Sequence, residues 1–436
     1  MVGLAALDPT CKLHTPPPAP RMPTLKTVTL GCKVNQYETE YVRQGLVQVG
    51  YRDARDDESP QLCLVNTCSV TAEGEAKCRK IIRRLAQQHP GMGIIVMGCY
   101  ATRAPAEVAA LPGILEVVTD KRLLPDLLAR YGVTDVPEGI STFRSRRRAY
   151  VKVQDGCRLH CAFCIIPQVR PVLGSRRVAD VLDEIRRLTE NGHREIVLTG
   201  IHLGHYGLDR PALPGDPPRV RLAGLLAKIV DLPGQFRVRL SSLEAIEARG
   251  ELIAVMRDNP QRVCPHLHLS MQSGSDAVLA RMRRRWQSSR FVERCLEARA
   301  ALGNPALTTD VIVGFPGETE DDFQATCRVC EVIGFAKIHI FRFSPRQGTP
   351  AADMPDQVQD RVKQQRAMRL EELGQRLRQQ YLRSLRGCLL QVLVQSPAAG
   401  KPGRMYGISG QYVPVELPGD ERLVNQLVEV EYNDEG

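Results

Sequence analysis

A repeated alternation of short apolar runs with longer amphipathic stretches constrains this chain most. From Lys26 to about Arg130 the pattern predicts strands at Thr27–Leu30, Leu62–Asn66, Gly93–Met97 and Ile114–Val118, with helical periodicity between and after them. Strands alternating with helices give a parallel sheet with right-handed crossovers, and such sheets bind ligands beyond the carboxyl ends of their strands. Cys32, Cys68 and Cys99 each lie within two residues of such an end. They are expected to converge on one edge of the sheet although they are far apart in the chain.

A linker of turn formers and arginine, about 132 to 149, leads into a second alternation. Six strand-like runs beginning near Tyr150, Glu195, Phe236, His266, Leu307 and Lys337, with helical stretches between them, predict an incomplete parallel barrel. Its active face belongs at the strand C-termini. The run Cys157-Arg-Leu-His-Cys161-Ala-Phe-Cys164 follows the first of these strands, and segments around Gly200, Glu244, Gln272 and Gly314 follow others. One barrel mouth should therefore collect every unusual polar segment. After a charged helical stretch from Asp356 to Leu385, short β-like runs broken by Gly and Pro predict a small C-terminal β-barrel.

Both cysteine groups supply three thiolates. A cubane iron–sulfur cluster held by three thiolates keeps one iron open, and soft sulfur suits iron. Zinc usually closes a tetrahedron with four ligands, and His160 is the neighbouring candidate for a fourth. The C-x₃-C-x₂-C spacing and Phe163 before the last cysteine are atypical of zinc ribbons. With 14 cysteines in all, the chain does not read as a disulfide framework. Cys327 and Cys330 have C-x-x-C spacing but sit in a helical stretch without a second pair, and are expected to be structural.

The net charge of +10 is carried largely by arginine. Arg144, Arg146, Arg147 and Arg148 form one cluster, Arg170, Arg176 and Arg177 a second, and Arg281, Arg283, Arg284 and Arg285 a third. Such clusters attract polyanions and favour a nucleic-acid partner. No run of about 18 apolar residues is present, so no membrane span is expected. Residues 1–25 are Pro-rich and lack the pattern of a signal peptide, and are expected to be a disordered lead-in or to precede the true start at Met22. A cytoplasmic location is expected.

The cysteine run after the first barrel strand closely resembles the radical S-adenosylmethionine (SAM) enzymes, whose open iron binds the amino and carboxylate groups of SAM. Leu198-Thr199-Gly200-Ile-His202 resembles the loop that holds the SAM amino group. Ser241-Ser242-Leu-Glu244 and Leu269-Ser-Met-Gln272-Ser-Gly-Ser275 resemble segments at its ribose and carboxylate. Thr309-Asp310-Val-Ile-Val-Gly314-Phe-Pro-Gly-Glu-Thr319 resembles the glycine-rich strand end beside its adenine. The resemblance implies that Phe163, Thr199, Gly200, His202, Ser242, Glu244, Gln272, Asp310 and Gly314 bind this cofactor.

Gly31-Cys-Lys-Val-Asn-Gln-Tyr-Glu38, Asn66-Thr-Cys-Ser-Val70 and Met97-Gly-Cys-Tyr100 narrow the resemblance to the methylthiotransferases, and to the branch acting on N6-threonylcarbamoyladenosine at tRNA position 37. It implies a methylthiotransferase N-terminal domain over 26–135, a radical SAM core over 145–375 and an RNA-binding TRAM-like domain over 378–436. It also implies two [4Fe–4S] clusters as catalytic centres, one on Cys157, Cys161 and Cys164 and an auxiliary one on Cys32, Cys68 and Cys99. One SAM would methylate sulfur on the auxiliary cluster, and a second would supply the radical that activates adenosine C2. The implied partners are the tRNA anticodon stem-loop and an electron donor such as flavodoxin or ferredoxin, with the enzyme acting as a monomer. The alternatives are the same chemistry on isopentenyladenosine or on an aspartate of a ribosomal protein, and, from another class, a non-catalytic zinc- and RNA-binding protein. Many relatives read R-G-x-x-R-S-R after the position of Pro167, whereas this chain reads Arg170-Pro-Val-Leu-Gly-Ser-Arg176-Arg177.

Overall fold

A computed structural model describes residues 22–144, 147–209 and 219–433. Cys11, Arg146 and nearly all of the expected lead-in lie outside the described residues. The first sheet is wholly parallel, built from β1 (Thr24–Thr29), β2 (Arg52–Asp53), β3 (Leu62–Thr67), β4 (Gly93–Gly98) and β5 (Ile114–Val117), in the order β2-β1-β3-β4-β5. All six residues of β3 are buried, the polar Asn66 and Thr67 at its end included, as in a central strand covered by helices on both faces. The following helix, Ala72–Gln88, starts where Thr71 accepts a bond from the Gly74 amide, with Glu73 and Glu75 favourably placed in its first turn.

The second unit starts with β6 (Arg148–Asp155), edged by the short antiparallel β7 (Gly174–Ser175). It continues through β8 (Glu195–Gly200) and β9 (Arg237–Leu240) to β10 (His266–His268), β11 (Ala306–Val313) and β12 (Lys337–Arg342). Parallel bridges from Val238 to Val263 and from Leu243 to Leu269 join β9 to the segment of β10. Six parallel strands thus follow one another as expected, and β6 and β12 do not pair with each other among the described residues. The barrel stays incomplete. Helix Lys33–Gln48 packs on β6 and β8, and its Tyr37 belongs to the barrel core.

Helix Asp360–Ser384 crosses back over β12 and delivers the chain to β13 (Leu389–Pro397), β14 (Arg404–Ser409), β15 (Pro414–Pro418) and β16 (Leu427–Glu431). These form a four-stranded antiparallel sheet in the order β15-β14-β13-β16. The small β-barrel expected here is present as a half-barrel. Its open face is covered instead by Tyr381 and Leu385 of the long helix and by Ala306 and Ala336 of the large barrel. β14 escaped the sequence reading because Tyr406-Gly407 interrupts its apolar run. Gly407 is required there, since a Cβ would strike the Val392 side chain.

Arg237 and Arg239 lock the half-barrel to the large one. They donate to the carbonyls of Gln391, Ile408, Ser409 and Gly410, while Glu195 holds both guanidiniums from inside. Burial works against the Glu195 charge, but the two arginines outweigh it and keep the carboxyl far below the usual range.

Candidate active site

Cys32, Cys68 and Cys99 leave the ends of three adjacent strands, β1, β3 and β4. Thr29 pairs with Asn66 and Thr67 with Gly98, so the three turns start level with one another. Two glycines make the approach possible. Gly31 has φ +100°, and a Cβ on it would come 3.2 Å from the Cys68 sulfur. Gly98 also has φ +100°, and a Cβ there would collide with the Thr67 carbonyl. Asn35 ties the turns together by donating to the carbonyls of Leu30 and Thr67 at 2.9 and 3.0 Å.

Cys32 is open to solvent but set in a concavity, and the surrounding protein raises its thiol while the Arg170 guanidinium opposes that shift. Burial pushes Cys68 up to about 11, and Cys99 and Cys32 reinforce the shift.

Cys157, Cys161 and Cys164 occupy the loop after β6. Burial pushes Cys164 up to about 12 and raises Cys161, where Arg284 pulls the other way. Arg284 directs Nη1 at the Cys161 sulfur over 3.6 Å, while Nη2 pairs with Glu244 at 2.8 Å and donates to the Ser270 carbonyl at 3.1 Å. His202 stands with Nδ1 3.7 Å from the Cys157 sulfur and Nε2 2.7 Å from a Glu247 oxygen. Burial disfavours the imidazolium, but these two partners outweigh it and raise His202 to about 9. The stacked His205, 3.7 Å away, is pushed down to about 4 by burial and by that neighbour. His160, the fourth ligand considered for zinc, is exposed, and the imidazoles beside Cys157 are those of His202 and His205.

The loops that carry the two triads adjoin. Cys99 packs against Ile165 and Val169, and Ile165 directly follows Cys164. Arg170 crosses the same junction, bonding Glu38 at 2.8 Å, Asp155 at 2.8 Å and Asn35 Oδ1 at 3.1 Å.

Comparison with known proteins gives the lineage. A model of the radical SAM superfamily matches residues 151–330, and one described as uncharacterized protein family UPF0004 matches residues 24–120. The threonylcarbamoyladenosine tRNA methylthiotransferase MtaB of Bacillus subtilis is 36% identical over 94% of this chain and 93% of its own length. The chain belongs to the radical SAM methylthiotransferase family. A tRNA-2-methylthio-N(6)-dimethylallyladenosine synthase of Methylacidiphilum infernorum is 33% identical over 94% of this chain and 92% of its own. Among solved structures, the radical SAM methyltransferase TsrM of Kitasatospora setae aligns with TM-score 0.55 over 76% of this chain and 77% of its own, at 15% identity. That likeness shows the fold.

The family implies a [4Fe–4S] cluster and SAM, and the residues of the barrel mouth fit such a group. Three sulfurs come from one loop, and two N–H donors, from Arg284 and His202, point at two of them. Arg284 Nε is buried without a hydrogen-bond partner among the described residues. Such donors suit electron-rich thiolate sulfur.

The other expected cofactor residues divide. Glu244 reaches the cysteine loop through Arg284, and Phe163 packs edge-on against Phe315 with ring centroids 6.5 Å apart. Gly200 gives room to Gln154, whose Oε1 accepts from the His202 amide at 2.8 Å. Thr199 is buried in β8. Gln272 adopts φ +70°, unusual for a residue with a side chain, while its amide donates to the Asp310 carbonyl at 2.8 Å. Gly314 has φ +72°, with Lys363 packed where a Cβ would lie. Ser242 and Asp310 line the barrel lumen, and among the described residues neither side chain hydrogen-bonds to the cysteine loop.

The arginine clusters need correction. Arg170 is a buried strut whose side chain is 2% exposed, and Arg176 is bound to Glu184 inside the barrel wall. Arg284 serves the cysteine loop. Only Arg177 of the second cluster is a surface charge, at 69% side-chain exposure. Sequence reasoning placed Arg284 on the surface because it lies in a run of arginines. The partner that draws it inward, Glu244, is 40 residues away and was itself assigned to SAM.

Proposed function

We propose that this enzyme is a tRNA methylthiotransferase that converts N6-threonylcarbamoyladenosine at position 37 to its 2-methylthio derivative. The observation that carries this reading is the junction of the two triads, where Cys99 packs on the residue after Cys164. Sulfur insertion at an inert C–H bond needs the radical-generating and sulfur-bearing centres close together, and the packing of Cys99 against the residue after Cys164 supports such an arrangement. The relative of Bacillus subtilis, similar along nearly the whole chain, supports the substrate.

Cys157, Cys161 and Cys164 would hold the cluster that works with SAM, and Cys32, Cys68 and Cys99 a second [4Fe–4S] cluster. When bound, these groups supply hydrogen-atom abstraction from C2 and the sulfur and methyl group that replace it. The chain's own part is placement and shielding. Arg284 and His202 orient the first loop and donate to its sulfurs. Glu247 keeps His202 in place, and the Glu38–Arg170–Asp155 network holds the two units in register.

On this reading the units run 26–135, 145–375 and 378–436. The C-terminal half-barrel grips the anticodon stem-loop, where unpaired bases are open to recognition. Flavodoxin or ferredoxin supplies electrons, and the enzyme works as a cytoplasmic monomer. No described helix is long and apolar enough to cross a membrane.

Mass spectrometry of tRNA nucleosides from cells with and without the gene tests the proposal. Loss of 2-methylthio-N6-threonylcarbamoyladenosine with accumulation of its precursor is expected. Unchanged tRNA would overturn the assigned substrate.

A further inference from the structure

Below the mouth, the barrel lumen holds a cavity of about 800 Å³, within the range of small-ligand sites. Its wall is made by the inward faces of β10, β11 and β12, by Lys33 beside the first triad, by Arg378 of the long helix and by Tyr412 of the half-barrel. Three full cations, Lys33, Lys337 and Arg378, line it against a single carboxylate, Asp310. That carboxylate is already engaged by His268 at 3.1 Å and Ser270 at 3.3 Å. The Lys33 and Lys337 side chains make no hydrogen bond or ion pair among the described residues.

The same wall carries unpartnered polar atoms. Among the described residues Ser241 Oγ and His266 Nδ1 have no hydrogen-bond partner, and the two residues are only 7% and 4% exposed. Buried polar groups are almost always paired, so groups left open around a cationic cavity point to a ligand that completes them. A second cavity of about 820 Å³ shares Lys337, His339, Phe341 and Arg378 with the first and extends past Thr71 and Glu73 along the unpaired edge of β12. It gives the lumen a route to the surface.

We propose that this lumen is the specificity pocket for the N6 substituent of the target adenosine. Lys33 and Lys337 hold the carboxylate of the threonylcarbamoyl group, and Ser241 and His266 take its hydroxyl and ureido groups. The assignment rests on the function proposed above. Lys33 directly follows Cys32, so a substituent anchored by it keeps the base within one residue's reach of the first triad. A purely aliphatic substituent would cover the half-buried Lys33 without supplying an anion and would leave Ser241 and His266 without partners, while the exposed Lys337 would keep its water. Sites built for polar groups reject analogues lacking them strongly for that reason.

The test measures binding of the full-length reconstituted enzyme to three anticodon stem-loops, carrying N6-threonylcarbamoyladenosine, its methyl ester or plain adenosine at position 37. The acid should bind roughly 10- to 100-fold more tightly than the ester, as expected for a charge-assisted contact. Lys33→Met and Lys337→Met should each shrink that ratio about three- to tenfold. Lys337 is remote in sequence from every cysteine ligand, so it decides the matter if iron loading fails in the Lys33 variant. Equal binding of acid and ester by an enzyme that still methylthiolates the acid would overturn the pocket and leave the reaction standing. Equal weakening of all three stem-loops by the lysine variants would assign the charges to backbone phosphates and also overturn it. Failure to convert the acid, with plain or isopentenylated adenosine converted instead, would sink the underlying function.

Discussion

Arg284 stands 3.6 Å from the Cys161 sulfur and is held there by Glu244, whose carboxylate grips the other arm of the guanidinium at 2.8 Å. The ion pair is nearly dry, with the two side chains 5% and 10% exposed. A cation and N–H donor beside a thiolate stabilise the more negative, reduced state of whatever that thiolate ligates.

Arg284→Met should therefore shift the midpoint potential of the barrel-mouth cluster downward, read by redox titration with electron paramagnetic resonance. Cluster retention or SAM cleavage should fall about 10- to 100-fold, the usual cost of losing a group that orients a metal ligand. Arg284→Lys keeps the charge but loses the fork, and should recover part of the potential. An unchanged potential in both variants would reduce Arg284 to a packing group.

The two triads should separate under single substitutions. Cys161→Ala should abolish SAM cleavage altogether. Cys68→Ala should spare cleavage and stop sulfur insertion, with iron content falling by about half relative to the intact enzyme if each triad holds one cluster. Methylthiolated product from the Cys68 variant would refute the division of labour.

The junction of the triads depends on buried charge. Burial opposes ionisation of Glu38 and Asp155, yet the neighbouring Arg170 and Lys152 outweigh it and hold both carboxyls below their usual values. Carboxyls depressed in the folded state contribute stability that is complete above their unfolded values of about 4. It is lost as pH falls from there through the folded values. The part of the denaturant midpoint owed to these two carboxyls should thus be constant from pH 7 to about 5 and fall below about 4, on top of the loss below about pH 6.5 from His205, which the fold holds neutral. Glu38→Ala leaves the buried Arg170 with Asp155 as its one remaining carboxylate and should cost about 3 kcal/mol at pH 7. In the variant, the Glu38 part of the acid-dependent drop should disappear.

The alternation of strands and helices, the convergence of Cys32, Cys68 and Cys99 on one sheet edge, and the barrel were legible because a period of apolar residues and the rule for parallel sheets fix them. The reach of the arginines was not. Arg170 and Arg284 look like surface charge in sequence, and their burial depends on Glu38 and Glu244, which only the fold brings near. His202 was found through its loop, but its coupling to Glu247 was hidden, since nothing local marks a carboxylate 45 residues on. The lumen was equally hidden. Alternate residues of β10 to β12 face it, and a polar inward face reads in sequence like an exposed one.

The half-barrel offers a final test at Glu195. Its carboxylate has no exposed surface and holds Arg237 at 2.6 Å and Arg239 at 2.8 Å, while both arginines donate onward to half-barrel carbonyls. Glu195→Gln keeps the shape but leaves two guanidiniums buried with reduced compensation. Stability should fall by about 3–5 kcal/mol. The loss should surface first as release of the half-barrel, because the carbonyl contacts and the stacking of Arg239 on Tyr412 then hold it to strand β9 without a counter-charge behind the arginines. Limited proteolysis should cut near Gly387, before β13, in the variant and spare that site in the parent enzyme. Uniform unfolding of the whole chain without early cleavage there would show that Glu195 supports the large barrel rather than the docking of the half-barrel.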